Sequence, residues 1–293
     1  MTPDSWQHRT AQSNGISMHY VEQGEGFPVV MCHGFPELWY SWRHQIPALA
    51  AAGLRAIAPD LRGYGETDKP DPIEEYTIQK LVGDVIGLLD ALDIEKVVLV
   101  GNDWGSIVVW SAAVMHPERV ERLVSLNVPY RGRCVSFPPM EVLEKMGDRV
   151  RYVIFFQTPG RAEAHFEADM AGTLRRFYEA AAGERFAQSD EEFAVYLEAF
   201  RKGGMRGPLN FYRNIDHNWR STEALADTRV ECPTMIVMTD KDPVLPPHFA
   251  DGIEPWLPNL RKELIHECGH WTQQEQPNEV NRLLLEFLGD LAG

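Results

Sequence analysis

Short runs of branched apolar residues punctuate the chain: "ISMHYVE" from Ile16, "PVVMC" from Pro28, "RAIAP" from Arg55, "KVVLVG" from Lys96, "RLVSLNV" from Arg122, "TMIVMTD" from Thr234 and "KELIHE" from Lys262. Each has the length and composition of a strand. Between most of them apolar positions recur at helical spacing, as in "YTIQKLVGDVIGLLDAL" and "SIVVWSAAVMHPERV". Strand and helix in alternation predict a mostly parallel sheet flanked by helices on both faces, with functional loops at the carboxyl ends of the strands. From about residue 129 to 226 the strand pattern stops, and charged, aromatic-rich helical text takes its place. The expected organisation is therefore an α/β core of residues 1–128 and 227–293, interrupted by an all-helical cap at 129–226. A chain of 293 residues is long enough for both parts.

The fourth run leads into chemistry. "VLVGNDWGSIVVW", residues 98–110, passes from an apolar strand through a tight turn with glycine at both ends into a helix. This is the arrangement of a nucleophile elbow, usually G-x-S-x-G, in which a strained turn lifts one side chain above the sheet. Asp103 stands where serine is usual. Taken alone, "NDWG" is equally well explained as turn chemistry, because Asn, Asp and Gly tolerate tight turns. Two later loops alter that balance. "MTDKDPVLP" follows a strand and offers Asp242, with Asp240 as the competing acid, and "HECGHWTQ" follows the last strand and presents His270. Nucleophile, acid and histidine in that chain order match the α/β-hydrolase triad. Among ten histidines, His217, His248 and His266 are read as structural.

Charge and cysteine usage narrow the partners. Lys and Arg number 28 against 43 Asp and Glu, a net charge of −15 that repels nucleic acid and anionic membranes alike. Cys32, Cys134, Cys232 and Cys268 show no paired or metal-ligand spacing, so they are expected to be reduced packing residues of a cytoplasmic protein, with no metal site. Neither a signal peptide nor an apolar run of roughly 20 residues is expected.

In order along the chain, "HGFPELWYSWRHQ", "PDLRGYGETDKP", "GNDWG", "FFQTPGRAEA", "GMRGPLNFYRN", "KDPVL" and "DGIEPWLPNLRKELIHECGHWTQ" form a joint signature. In these motifs the sequence resembles the α/β-hydrolase-fold epoxide hydrolases, close to the hydrolase half of the mammalian soluble enzymes, over nearly its whole length. No phosphatase half is expected within these residues. The resemblance implies that Asp103 is the nucleophile, His270 the base and Asp242 its partner. It also implies that the backbone N–H groups of Phe35 and Trp104 form an oxyanion hole, and that Tyr152 and Tyr212 in the cap act as acids. Phe35, Trp104, Tyr152, Tyr212 and Trp271 would contact the substrate. A small hydrophobic epoxide and water would be the reactants, with no cofactor; the oligomeric state stays open between monomer and homodimer.

Those residue types suit the chemistry. An oxirane carbon is saturated, so it must be displaced by a nucleophile that can later be released, and a carboxylate does this through an alkyl ester. An imidazole accepts a proton near neutral pH, and a phenol of pKa about 10 stays protonated to donate one. Rival readings make different demands. Haloalkane dehalogenases usually carry Asn in place of Phe35, fluoroacetate dehalogenases place Arg where Trp104 stands, and esterases require serine at position 103. Non-catalytic receptors of the same fold remain a reading from another class, since fold does not decide function.

Overall fold

A computed structural model describes residues 3–132, 138–183 and 188–292. Cys134 lies outside the described residues. Eight strands form one sheet: β1 (Gln7–Ser13), β2 (Ile16–Gln23), β3 (Phe27–Cys32), β4 (Leu54–Pro59), β5 (Val97–Asn102), β6 (Val120–Leu126), β7 (Thr234–Thr239) and β8 (Leu260–Ile265), in the order β1-β2-β4-β3-β5-β6-β7-β8. From β4 to β8 all pairs are parallel, and β1 and β2 complete one border in antiparallel register. The alternation of strand and helix in the sequence thus describes the fold, a mostly parallel sheet with helices between its strands.

One strand escaped the hydrophobic reading. "QHRTAQS" is β1, and its first four side chains are exposed. As an edge strand it buries little of either face, so polar residues suffice and no apolar run marks it. By contrast β5 is buried along its whole length, which is why "VVLVG" reads so clearly.

Four helices cover the sheet. α1 (Gln45–Ala51) packs beside the C-terminal α12 (Pro277–Leu288), and α2 (Ile78–Ala91) beside α3 (Trp104–Met115). The last helix, α12, follows α11 (Thr272–Glu275). Between β6 and β7 the described residues hold only helices: α4 (Pro139–Leu143), α5 (Arg151–Phe156), α6 (Arg161–Ala168), α7 (Met170–Ala181), α8 (Asp190–Gly203), α9 (Arg206–Arg213) and α10 (Ile215–Ser221), with short 3-10 turns. α8 illustrates why such text folds as helix: Ser189 and Glu192 make a capping box, acids fill the first turn and Arg201 and Lys202 the last. Phe193, Tyr196 and Phe200, at three- and four-residue spacing, form its buried stripe.

This helical stretch is tied to the sheet domain at both ends and along its length. Tyr130 Oη donates to Thr228 O across the neck, and buried Arg43 reaches Glu192 on α8 at 2.8 Å. Among the described residues no helix is long and apolar enough to cross a membrane. Cys32 and Cys268 are buried and Cys232 partly so, and burial pushes the Cys232 thiol up to about 11 and that of Cys32 up to about 12.

Candidate active site

Five strand ends and two helices of the stretch between β6 and β7 converge on one place. The elbow lies between β5 and α3, where Asp103 takes φ 50° and ψ −120°, a conformation that costs a non-glycine residue about 1–3 kcal/mol. The glycines around it are there for space. A Cβ on Gly105 would lie 2.0 Å from the Cys32 carbonyl oxygen, one on Gly101 would lie 2.5 Å from the backbone of Gly105 and Ser106, and one on Gly34 would lie 2.5 Å from the Asp103 Cβ. None of these three has a positive φ, so close backbone approach alone excludes a side chain.

The loop after β3 meets the elbow directly. Phe35 N–H donates to Asp103 Oδ1 at 2.9 Å. Its turn is held from behind by His33, whose Nδ1 bonds to Gly34 O and whose Nε2 accepts from Leu61 N–H at 3.0 Å. Burial lowers the His33 pKa, so this imidazole is neutral and structural. Trp104 opens α3, and its N–H is one of the first-turn donors that have no carbonyl partner inside the helix.

His270, after β8, stands between two carboxylates. Its Nδ1 is 2.7 Å from Asp242 Oδ2, and its Nε2 is 3.5 Å from Asp103 Oδ2. Asp242 also accepts from Val244 N–H and Leu245 N–H through Oδ1 and from Asn127 Nδ2 through Oδ2. Burial alone would raise its pKa, but His270 and these donors hold it down at about 2. For His270 burial works in the opposite direction and is overcome: Asp242 and Asp103 raise its pKa well above the ordinary imidazole value. Asp240, the competing acid, instead faces His266 at 3.1 Å near the surface.

The two tyrosines come from α5 and α9. Their rings meet edge to face with centroids 6.0 Å apart. Tyr212 packs edge-on against Phe35 and Trp104, with centroids at 5.1 and 5.2 Å. Burial, then the Asp103 charge, raises both phenol pKa values, so both hydroxyls are protonated donors at neutral pH. Two cavities of about 540 Å³ each meet here, and both are lined by Asp103, Tyr152 and Tyr212. Trp271 lines the first, with its indole N–H on Tyr178 O and its ring edge-on to His270.

Two residues of the site, Asn127 and Glu37, escaped the sequence reading. Asn127 ends the "RLVSLNV" run with φ 67° and binds Asp242; an Asn closing a strand is the clue, because Asn tolerates that conformation. Glu37 is fully buried behind the Phe35 loop and accepts from Gly34 N–H, Gln273 and Gln274. Nothing local in "GFPEL" distinguishes it from a surface acid.

Residues 28–277 match the protein family described as alpha/beta hydrolase fold, the class that the sheet and elbow define. Bifunctional epoxide hydrolase 2 of Mus musculus is 38% identical over 94% of this chain and 54% of its own length. Epoxide hydrolase A of Mycobacterium tuberculosis is 40% identical over 97% of both chains. A crystal structure of an epoxide hydrolase from Vigna radiata matches with a TM-score of 0.91 and 34% identity, covering 99% of this chain and 100% of that one. The chain belongs to the epoxide hydrolase family of the alpha/beta hydrolase fold. It spans about half the length of the bifunctional mammalian relatives it matches.

Proposed function

We propose that the protein hydrolyses epoxides to vicinal diols through an ester on Asp103. The observation that carries this reading is the meeting of two phenol donors, Tyr212 buried and Tyr152 partly so, with one carboxylate at the junction of two largely apolar cavities. Phe35 N–H occupies Oδ1 of Asp103, which leaves Oδ2 to attack a ring carbon in line. As the C–O bond of the ring breaks, Tyr152 and Tyr212 donate to the departing oxygen, which takes up a proton and becomes the first hydroxyl of the diol. General acid help of this kind is commonly worth roughly 10² to 10⁴ in rate.

Ester formation also switches the histidine. In the resting site the two carboxylates keep His270 protonated, and that imidazolium takes no proton from water. Esterification of Asp103 removes one of the two charges, so the His270 pKa falls; Nε2 gives up its proton, which makes good the phenol proton lost to the ring oxygen, and can then accept another. Water then adds to the ester carbonyl carbon while Phe35 N–H and Trp104 N–H hold the oxyanion; losing one such donor typically costs about 3 kcal/mol. Collapse of the adduct breaks the bond to the diol oxygen, which takes the proton from Nε2, and the acid left on Asp103 returns its proton to the imidazole and becomes a carboxylate again. Asp242 fixes the tautomer throughout, with its proton-bearing Nδ1 turned away from the water.

We infer that residues 129–226 act as the cap on a core of residues 1–128 and 227–293, since the cap supplies both acids and one wall of each cavity. The reactants are then a small apolar epoxide and water. The test is a trapping experiment with an aryl epoxide. Wild type should yield diol; Asp103→Asn should yield none; His270→Gln should alkylate and stop, leaving an ester on the Asp103 peptide that mass spectrometry detects. Diol formation no faster than in buffer, or no adduct in His270→Gln, overturns the reading.

A further inference from the structure

The loop that carries His270 is clamped by a carboxylate that the chemistry above does not use. Glu275, at the end of α11, accepts three backbone N–H groups: Gly269 at 2.7 Å and Gly183 at 2.8 Å on Oε2, and Trp271 at 2.9 Å on Oε1. Gly269 and Trp271 are the residues immediately before and after His270. Gly183 belongs to the segment that leaves α7 in the helical stretch. One side chain therefore ties both flanks of the histidine to the cap.

The surrounding seam is backbone against backbone. His270 N–H donates to Ala181 O at 2.8 Å and the Trp271 indole to Tyr178 O at 2.8 Å, so the last turn of α7 finds its acceptors' partners in the histidine loop. A Cβ on Gly269 would lie 2.3 Å from Gly183 N, and one on Gly183 would lie 2.7 Å from Glu275 Oε2. Neither glycine has a positive φ, so contact and not backbone freedom accounts for them. Three backbone donors divide over both oxygens of the side chain, an arrangement that suits a carboxylate because a glutamine offers only one oxygen.

We propose that Glu275 is a positioning residue for the hydrolytic half of the reaction, a latch that holds the His270 backbone so that Nε2 stays aligned with the ester carbonyl and its water. The proposal rests on the covalent reading above. Alkylation draws on Asp103 Oδ2 and on hydroxyls from α5 and α9, none of which the latch touches. Hydrolysis depends on the placement of the imidazole, where a shift of about 1 Å can cost on the order of 10² in rate.

The experiment is rapid-mixing kinetics on the full chain with an aryl epoxide, which separates ester formation from ester decay. Glu275→Gln should leave ester formation within about twofold of wild type and slow its decay by roughly 10- to 100-fold. In the steady state kcat and KM then fall together and kcat/KM is preserved. Glu275→Asp, which keeps the charge, should recover part of the decay rate. Gly183→Ala keeps the carboxylate but forces the seam apart, so it should reproduce the same split and decides the matter if Glu275→Gln does not fold. Equal loss of both steps in these variants, or unchanged decay in Glu275→Gln, overturns the latch. Wild type that forms neither ester nor diol removes the covalent reading and the latch with it.

Discussion

Replacing Asp242 by asparagine changes one atom and tests the histidine assignment from two directions. Its carboxylate serves four donors, two on each oxygen: the N–H groups of Val244 and Leu245 at 2.8 and 2.9 Å, and His270 Nδ1 and Asn127 Nδ2 at 2.7 Å each. An amide has one oxygen, so in either orientation two buried donors face an NH₂ group. Each unsatisfied donor costs roughly 1–3 kcal/mol, so the fold should lose about 2–6 kcal/mol with both unpaired and about half of that where Nδ1 turns acceptor. For a chain of this size that is a drop in Tm on the order of 10 °C. If the oxygen stays with the loop N–H groups, the amide donates to Nδ1 and the imidazole proton moves to Nε2, the atom that faces Asp103. No lone pair then meets the water, and ester decay should slow by roughly 10³- to 10⁴-fold, while ester formation changes far less. Asp240→Asn is the comparison: it removes the ion pair with exposed His266 and keeps an oxygen for Cys268 N–H, and such surface pairs contribute little. Rapid mixing and thermal melting on both variants measure the two effects. Ester decay within tenfold of wild type in Asp242→Asn, or a stall in Asp240→Asn instead, would refute the argument.

Further outcomes follow from the same geometry. Tyr152→Phe and Tyr212→Phe should each slow ester formation by about 10-fold or more with little change in Tm, and the double variant should slow it further; ester formation at the wild-type rate in the double variant would demote both to packing residues. Gly105→Ala puts a methyl group 2.0 Å from the Cys32 carbonyl oxygen, so circular dichroism should show a melting temperature lowered by several degrees or no folded protein. Because the folded-state pKa of His270 is raised, the stability it contributes is present below its unfolded pKa of about 6.5 and is lost as pH rises through the raised value. Tm should therefore fall on the alkaline side in wild type, and less so in His270→Gln. Asp242 works at the other end: with its pKa depressed to about 2, its contribution is present above about 3.9 and lost as pH falls toward 2.

What the sequence made legible, it did through burial and position. β5, β6 and β7 are apolar because they lie inside, so their carboxyl ends, and with them Asp103 and Asp242, sit at the ends of readable runs. His270 is found by the same logic after β8, although that strand exposes Lys262 and Leu264 and buries only Ile265 fully. β1 was invisible because an edge strand has almost nothing to bury. The phenols of Tyr152 and Tyr212 lie about sixty positions apart on different helices, and only motif resemblance joined them; their meeting over Asp103 is a tertiary fact. Glu37 and Glu275 show the limit most clearly. Each is a short-range acid in sequence and a long-range acceptor in space, with partners such as Gln274 and Gly183 that no local pattern connects.

The sheet is open at both borders, and both are dressed alike. β1 presents Gln7, His8 and Arg9, and β8 presents Arg261, Lys262 and Glu263, where a bare strand would offer unpaired peptide groups to any extended chain that came alongside. A foreign strand adding to either border would first have to strip hydration from these polar and charged chains. Sheet growth thus halts at eight strands without the closure of a barrel, and the apolar runs that build the centre stay out of reach of stacking neighbours.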